Sequence, residues 1–297
     1  MHLLVYLLAY PFMRVLAWFP MPWLYFIGRS IYFTLYHVTG YRKELVWSNL
    51  QRSFPDLPEE KLLEIRRKYY RFLGDLFMET IKSMGPIDRS IDRRFQLYGY
   101  EPIEEDWAAG KNVMIVLGHY GNWEWGANAL GRKFKGRVMA PYAPLKNPYF
   151  NKMMVNYRSR SGLSPVPKRK LFPVLDSTSG QQRILALIAD QSPNPHRYYL
   201  VDFLQQPTAA VKGMESIARK YNYKVYFAST RLHRRGYYSA TFELLSGNPS
   251  AEPEGAMTAA FMKRLEKDIV AYPNYYLWSH NRWKLTTNSK KPLQKSL

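Results

Sequence analysis

The chain contains no cysteine. That excludes disulfides, thiolate nucleophiles and cysteine-based zinc sites. Acid is scarce too: 23 Asp and Glu stand against 43 Lys and Arg, a formal net charge of +20. Such an excess attracts anionic partners, whether nucleic acid, acidic lipid head groups or an acidic protein. The scarcity is concentrated. No acid falls between Glu124 and Asp176, while eleven bases do, ending in the run Lys168, Arg169 and Lys170. None follows Asp268, although Arg282, Lys284, Lys290, Lys291 and Lys295 do. A gap of that length reads as an anion-binding face, the plainer alternative being solvated surface. Also missing are a G-x-S-x-G nucleophile motif, an H-E-x-x-H pair, other metal-like histidine spacing, internal repeats and low-complexity linkers.

The first forty residues lack acid altogether and carry two bases, Arg14 and Arg29. They also lack an unbroken apolar span. Pro11, Arg14, Pro20, Pro22 and Arg29 divide them into runs shorter than the ~20 residues needed to cross a bilayer. No basic n-region or small-residue cleavage site marks a signal peptide. Broken, aromatic helices with sparse bases suit a segment lying in a membrane interface; a buried helical hairpin is the alternative. Aromatics are abundant throughout, with 24 Tyr, 15 Phe and 8 Trp.

What is present begins with an amphipathic helix expected over residues 59–82. It places Leu62, Ile65, Tyr69, Phe72, Leu73, Leu76, Phe77 and Ile81 at helical spacing. Asp56 and Pro58 mark its start and Gly85-Pro86 its end, and it carries no assigned chemistry. From about residue 95 strands and helices alternate. Strands are expected at 112–118, 137–142, 183–190, 199–203, 224–232 and 237–245, and helices at 122–131, 148–160, 211–221 and 255–271. This predicts an α/β fold: a mixed, largely parallel twisted sheet flanked by helices, preceded by an N-terminal apolar helical membrane-associating segment. The boundaries expected are 1–40 for that segment and 41–297 for the α/β domain. Within the domain, 41–94 is helical, 95–284 is the catalytic core and 285–297 is a basic tail. Ligands of such sheets bind beyond the carboxyl ends of the strands. His119 follows the first strong strand, and Asp190-Gln191 ends another.

The stretch GHYGNWEWG, residues 118–126, therefore stands where chemistry is expected. On one helix, His119 and Glu124 would lie roughly 500° apart, on different faces. They meet if His119 stays on the turn and Glu124 opens a helix capped by Asn122, with Gly118 and Gly121 permitting the bend. A carboxylate on one imidazole nitrogen fixes the tautomer and leaves the other nitrogen as a general base for a hydroxyl. With no nucleophile motif nearby, direct attack by an acceptor hydroxyl is the chemistry this arrangement suits.

That stretch resembles the H-x4-D/E signature of the lysophospholipid acyltransferase superfamily. In particular it is similar to the late acyltransferases of lipid A biosynthesis, the bacterial lauroyl and myristoyl transferases. Further segments resemble the same family in the same order: PYAPLKNPYFNKMMVNYRSRSG, LALIADQS, VDFLQQPTAAVKGMESIARKYNYKVYFAS and YPNYYLWSHNRWK. The resemblance implies transfer of an acyl chain from an acyl carrier protein or coenzyme A thioester to a hydroxyl of a membrane lipid. It implies no metal or redox cofactor, and the cytoplasmic face of a bacterial inner membrane as the location. It makes His119 the base and Glu124 its partner, and puts Arg158 and Arg160 near the oxyanion or an acceptor phosphate. Asp190, Gln191 and Asn122 would line the site, and Lys146, His280 and Arg282 would contact substrate. Lipid A precursors are the leading acceptor, with another lysolipid as the alternative. An inactive basic membrane scaffold and a nucleic-acid-binding protein are the readings from other classes. Intact His119 and Glu124 oppose the first, and the apolar start and lack of any nucleic-acid motif oppose the second.

Overall fold

The structure, a computed structural model, describes residues 1–85 and 89–287. Two short apolar runs set the middle of its sheet. β2 (Asn112–Leu117) and β5 (Ile184–Ile188) pair in parallel from Val113 opposite Ile184 to Leu117 opposite Ile188. Val113 to Val116, Ile184 and Leu185 are wholly buried, as expected of a strand covered on both faces. Around them lie β1 (Phe95–Tyr98), β3 (Val138–Tyr142), β4 (Leu163–Pro167), β8 (Tyr223–Arg234) and β9 (Tyr237–Ser246). The seven strands run in the order β1-β9-β8-β2-β5-β3-β4. Every pairing is parallel except β8 with β9, a hairpin whose turn includes Gly236 at φ 72°. β6 (Tyr198–Phe203) and β7 (Gln206–Val211) form a separate antiparallel ribbon. The fold is thus mixed α/β with a largely parallel sheet, as the alternation predicts.

The helices cover this sheet. In chain order they are α1 (His2–Leu16), α2 (Met21–Phe33), α3 (Lys43–Ser53), α4 (Glu59–Ser83), α5 (Arg89–Arg94), α6 (Glu101–Ala108), α7 (Trp123–Lys133), α8 (Pro148–Arg160), α9 (Leu171–Ser177), α10 (Gly213–Lys220), α11 (Ala256–Ala271) and α12 (Lys284–Thr287). α8 starts and stops where its sequence predicts. Asn147 caps it by accepting from the Tyr149 N–H at 3.0 Å, and Pro148 opens its first turn.

Three expectations need correction. Pro11 does not break the N-terminal segment. It sits inside α1, which continues to Leu16, and the interruption comes at residues 17–20. β1, β4 and β7 were not expected; β4 tolerates Pro165 and Pro167 because it is the edge strand, where missing donors cost least. Set between Pro165, Pro167 and Pro173, the Lys168–Lys170 run reads in the sequence as an exposed segment that cannot be regular helix; it is exposed but forms a 3-10 turn leading into α9, which includes Pro173. The basic tail lies outside the described residues from 288 onward.

The apolar N-terminal helices have two faces. Leu24 and Tyr25 of α2 are buried in a cluster with Phe95 and Trp125. α2 also approaches α4 so closely that a Cβ on Gly74 would stand 2.4 Å from the Gly28 carbonyl oxygen. The opposite surface exposes Leu4, Leu8, Phe12, Trp18, Trp23 and Phe26, each more than half accessible. Among the described residues, no helix is long and apolar enough to cross a membrane.

Candidate active site

Because β2 and β5 are parallel neighbours in register, the residues that follow them emerge side by side. His119 follows β2 and Asp190 follows β5. The Asp190 carboxylate holds His119 twice: Oδ1 is 2.6 Å from the ring Nδ1, and Oδ2 accepts from the His119 backbone N–H at 3.0 Å. Burial alone would push the Asp190 carboxyl up. The His119 ring and backbone N–H outweigh it, with Arg282 adding to them, and hold its pKa below the usual carboxylate range. An ionised carboxylate only accepts, so Nδ1 carries a hydrogen, and in the neutral ring the lone pair falls to Nε2. The side-chain amide of Gln191 stands 3.2 Å from Nε2. Trp123 meets the ring edge-on, with centroids 5.1 Å apart. His119 is thereby fixed in tautomer and orientation with its basic nitrogen turned away from Asp190.

The partner of His119 is therefore Asp190 and not Glu124, as H-x4-E spacing suggests. Glu124 does lie in the first turn of α7, where the sequence puts it, but its carboxylate takes the guanidinium of Arg158. Oε1 accepts from Nη2 at 2.6 Å and Oε2 from Nε at 3.4 Å. This fork fixes the plane of Arg158. H-x4-E spacing suggests one pair, whereas the fold makes two, His119–Asp190 and Glu124–Arg158. Strand pairing over seventy residues brings Asp190 in, and local spacing carries no trace of that.

The remaining candidates separate. Asn122 is a wholly buried cap: Oδ1 accepts from the Trp125 N–H at 2.9 Å, and Nδ2 donates to Glu79 at 2.7 Å. Arg160 turns to the far end of α4 and donates to the Met84 carbonyl at 3.2 Å. Lys146 is exposed in the loop before α8. His280 Nε2 accepts from the Ser192 N–H at 3.2 Å; burial pushes its pKa down to about 4, so the ring is neutral at pH 7 and serves the loop after Asp190. Arg282 is 2% exposed and donates to the Ala209 carbonyl at 2.7 Å. The tryptophans beside it in sequence, Trp278 and Trp283, are buried with it.

Glu79 was missed altogether. Its side chain is fully buried. Tyr25 donates to Oε1 at 2.8 Å, and Asn122 and Tyr238 donate to Oε2 at 2.7 and 2.8 Å. Its backbone carbonyl accepts from Trp125 Nε1 at 3.0 Å. One signal was available: Glu79 stands three residues after Leu76 and seven after Phe72, in the apolar stripe of α4.

The turn itself is held from outside. Leu277 N–H donates to the His119 carbonyl at 3.1 Å, and Gly121 N–H to the Tyr275 carbonyl at 3.0 Å. Gly121 has φ 62°, and a Cβ there would lie 2.7 Å from Thr230 Cγ2. Gly121→Ala is therefore expected to cost roughly 2–4 kcal/mol through left-handed strain and overpacking. Calorimetry checks this; an unchanged melting temperature would contradict it.

At the end of β2, on a mixed α/β sheet, a histidine thus stands bound to an ionised carboxylate. The family model for "Bacterial lipid A biosynthesis acyltransferase" matches residues 2–285, and the chain belongs to that family. It is an acyltransferase. Among its relatives are two Escherichia coli (strain K12) proteins. It is 24% identical to the lipid A biosynthesis lauroyltransferase over 89% of this chain and 86% of that one. It is 22% identical to the palmitoleoyltransferase over the same shares. A phosphatidylinositol mannoside acyltransferase of Mycobacterium tuberculosis (strain ATCC 25618 / H37Rv) is 21% identical over 76% of this chain and 71% of that one.

Proposed function

We propose that the protein moves a fatty acyl chain from a thioester, on acyl carrier protein or coenzyme A, to a hydroxyl of a membrane lipid, with a lipid A precursor as acceptor. The observation that carries this reading is the double hold of Asp190 on His119. His119 Nε2 takes the proton of the acceptor hydroxyl as its oxygen attacks the thioester carbonyl carbon. The carbonyl oxygen becomes an oxyanion, and Asp190 stabilises the imidazolium. Collapse expels the thiolate, which recovers the proton from His119. Arg158, aimed by Glu124, supplies N–H donors to the oxyanion. The thioester is already activated, so the residues need only move one proton and stabilise one charge.

The acidic carrier and lipid phosphates both suit the net charge of +20. The relative named for phosphatidylinositol mannoside favours a second acceptor, another sugar-bearing membrane lipid. Purified protein incubated with acyl thioester and each acceptor, with products read by mass spectrometry, tests both. Transfer to neither would refute the reading.

The same reading places the protein on the cytoplasmic face of a bacterial inner membrane, with the exposed face of α1 and α2 lying in the interface. Deleting these helices would bare the cluster around Tyr25 and Trp125, so surface substitutions are the appropriate test. Replacing Leu8, Phe12 and Trp23 together by Ser removes apolar area worth roughly 1.5–3 kcal/mol per side chain. Vesicle sedimentation is expected to drop by more than about tenfold in partition coefficient. Unchanged sedimentation in high salt would put the anchor elsewhere.

A further inference from the structure

A cavity of about 460 Å³ lies between α1 and α8, apart from the His119 turn. Its walls include Tyr6, Tyr10 and Arg14 from α1 and Tyr149, Lys152 and Arg160 from α8. Tyr6 stacks on Tyr10 with centroids 4.9 Å apart and on Tyr149 at 5.6 Å, closing one side with aromatic faces. The other side is basic. Arg14 and Arg160 both donate to the Met84 carbonyl, at 3.3 and 3.2 Å, so two guanidinium groups converge on one point. Among the described residues, neither they nor Lys152 meet a carboxylate. The sequence explains this: α1 has no acid, and α8 lies in the acid-free gap between Glu124 and Asp176. One carbonyl dipole cannot neutralise two converging cations, whose repulsion falls when an anion sits between them. Planar guanidinium forks suit phosphate oxygens, and tyrosine faces suit the apolar root of a head group.

We propose that this cavity binds the phosphate head group of a membrane lipid. The choice of a lipid over free phosphate rests on α1. The helix that lines the cavity with Tyr6, Tyr10 and Arg14 exposes Leu4, Leu8 and Phe12 elsewhere on its surface. If that apolar face lies in the interface, as the proposed function has it, the cavity opens at head-group depth. The head group is then held by residues separate from those that move the proton. The site also reassigns Arg160, whose side chain joins Arg14 here and not Arg158.

The test is calorimetric titration of the full-length protein in detergent with dihexanoyl phosphatidic acid, dihexanoylglycerol and inorganic phosphate. The phosphatidic acid is expected to bind, the uncharged diacylglycerol not, and inorganic phosphate at least about tenfold more weakly than the lipid. Arg14→Gln with Arg160→Gln should weaken lipid binding roughly tenfold or more, since hydrogen bonds to charged groups are lost. Lys152→Gln, which disturbs no hydrogen bond to Met84, should weaken it severalfold and covers the case in which the arginine pair fails to fold. Neutralising Lys168, Arg169 and Lys170 removes more charge from an exposed turn outside the cavity; it should change affinity less than about twofold in 0.15 M salt. The proposal is overturned if the lipid does not bind, if inorganic phosphate binds as tightly, or if the turn variant loses as much as the cavity variants. Binding is read without turnover. A protein that binds the lipid yet transfers no acyl chain refutes the proposed function and leaves the cavity site standing. A protein that transfers acyl chains yet binds phosphatidic acid no differently in the cavity variants refutes the site alone.

Discussion

His119→Ala is expected to lower acyl transfer by roughly 100- to 10,000-fold, the range for loss of a positioned general base. The melting temperature is expected to fall as well, because loss of the ring leaves the buried Asp190 carboxylate without its Nδ1–H donor, so turnover is compared per folded protein. Asp190→Asn is the more informative partner. It keeps the shape but can turn an amide N–H toward Nδ1, which favours the tautomer with the proton on Nε2. Activity should then fall nearly as far as in His119→Ala. Glu124→Gln should fall less, since it weakens the fork on Arg158 without touching the base. Turnover of the three variants with one acyl thioester orders them. If Glu124→Gln were the most damaged and Asp190→Asn nearly normal, the pairing with Asp190 would be irrelevant to catalysis and the H-x4-E reading would return.

The second large effect concerns stability. Glu79→Ala leaves Tyr25, Asn122 and Tyr238 facing a buried void without their acceptor, and is expected to cost roughly 3–5 kcal/mol. Asn122 loses the partner that orients its amide, so the start of α7 should fray and activity fall with stability. Glu79→Gln separates size from charge, because an amide fills the space and still accepts from Asn122. Its signature is a pH profile. Burial pushes the Glu79 carboxyl up to about 7, against the opposing hydrogen bonds from Tyr238, Tyr25 and Asn122. A carboxyl of ordinary pKa near 4.5 raised to about 7 binds more protons folded than unfolded between those limits. Its contribution is therefore complete below pH 4.5 and lost as pH rises through 7, on the order of 3 kcal/mol in all. Glu79→Gln should remove that slope, and denaturant melts at pH 5 and pH 8 measure it. Identical pH dependence in the variant and the parent protein would show that Glu79 does not titrate there.

The two predictions draw on different parts of the sequence's legibility. His119 was visible because the features that mark it in the sequence are local: an apolar strand, a glycine turn and a capped helix within twenty residues. The strands at 112–118 and 183–190 were legible for the same reason, as buried runs bounded by turn residues. Asp190 was visible as a strand-end acid, but its bond to His119 depends on which two strands lie side by side, and sheet order leaves no local mark. Glu124 looked like the partner because it was near in the chain. Its true partner, Arg158, arrives on a separate helix. Arg282 misled for the opposite reason, since a guanidinium among tryptophans reads as a ligand contact while here it fills the interior. The short strands β4 and β7 carry prolines, and composition argued against them.

The segment that clasps the His119 turn comes from far along the chain. Leu277 and Tyr275 bind the turn's backbone, while Trp278 and His280 offer their carbonyls to Asn49, at 2.9 and 3.1 Å. A ribosome therefore releases the apolar N-terminal helices and the histidine well before it makes the residues that lock the histidine in place. Until then the nascent chain holds His119 without the segment that clasps its turn. Any truncation upstream of residue 275 should yield an inert polypeptide even where the base, its carboxylate and the whole central sheet are encoded.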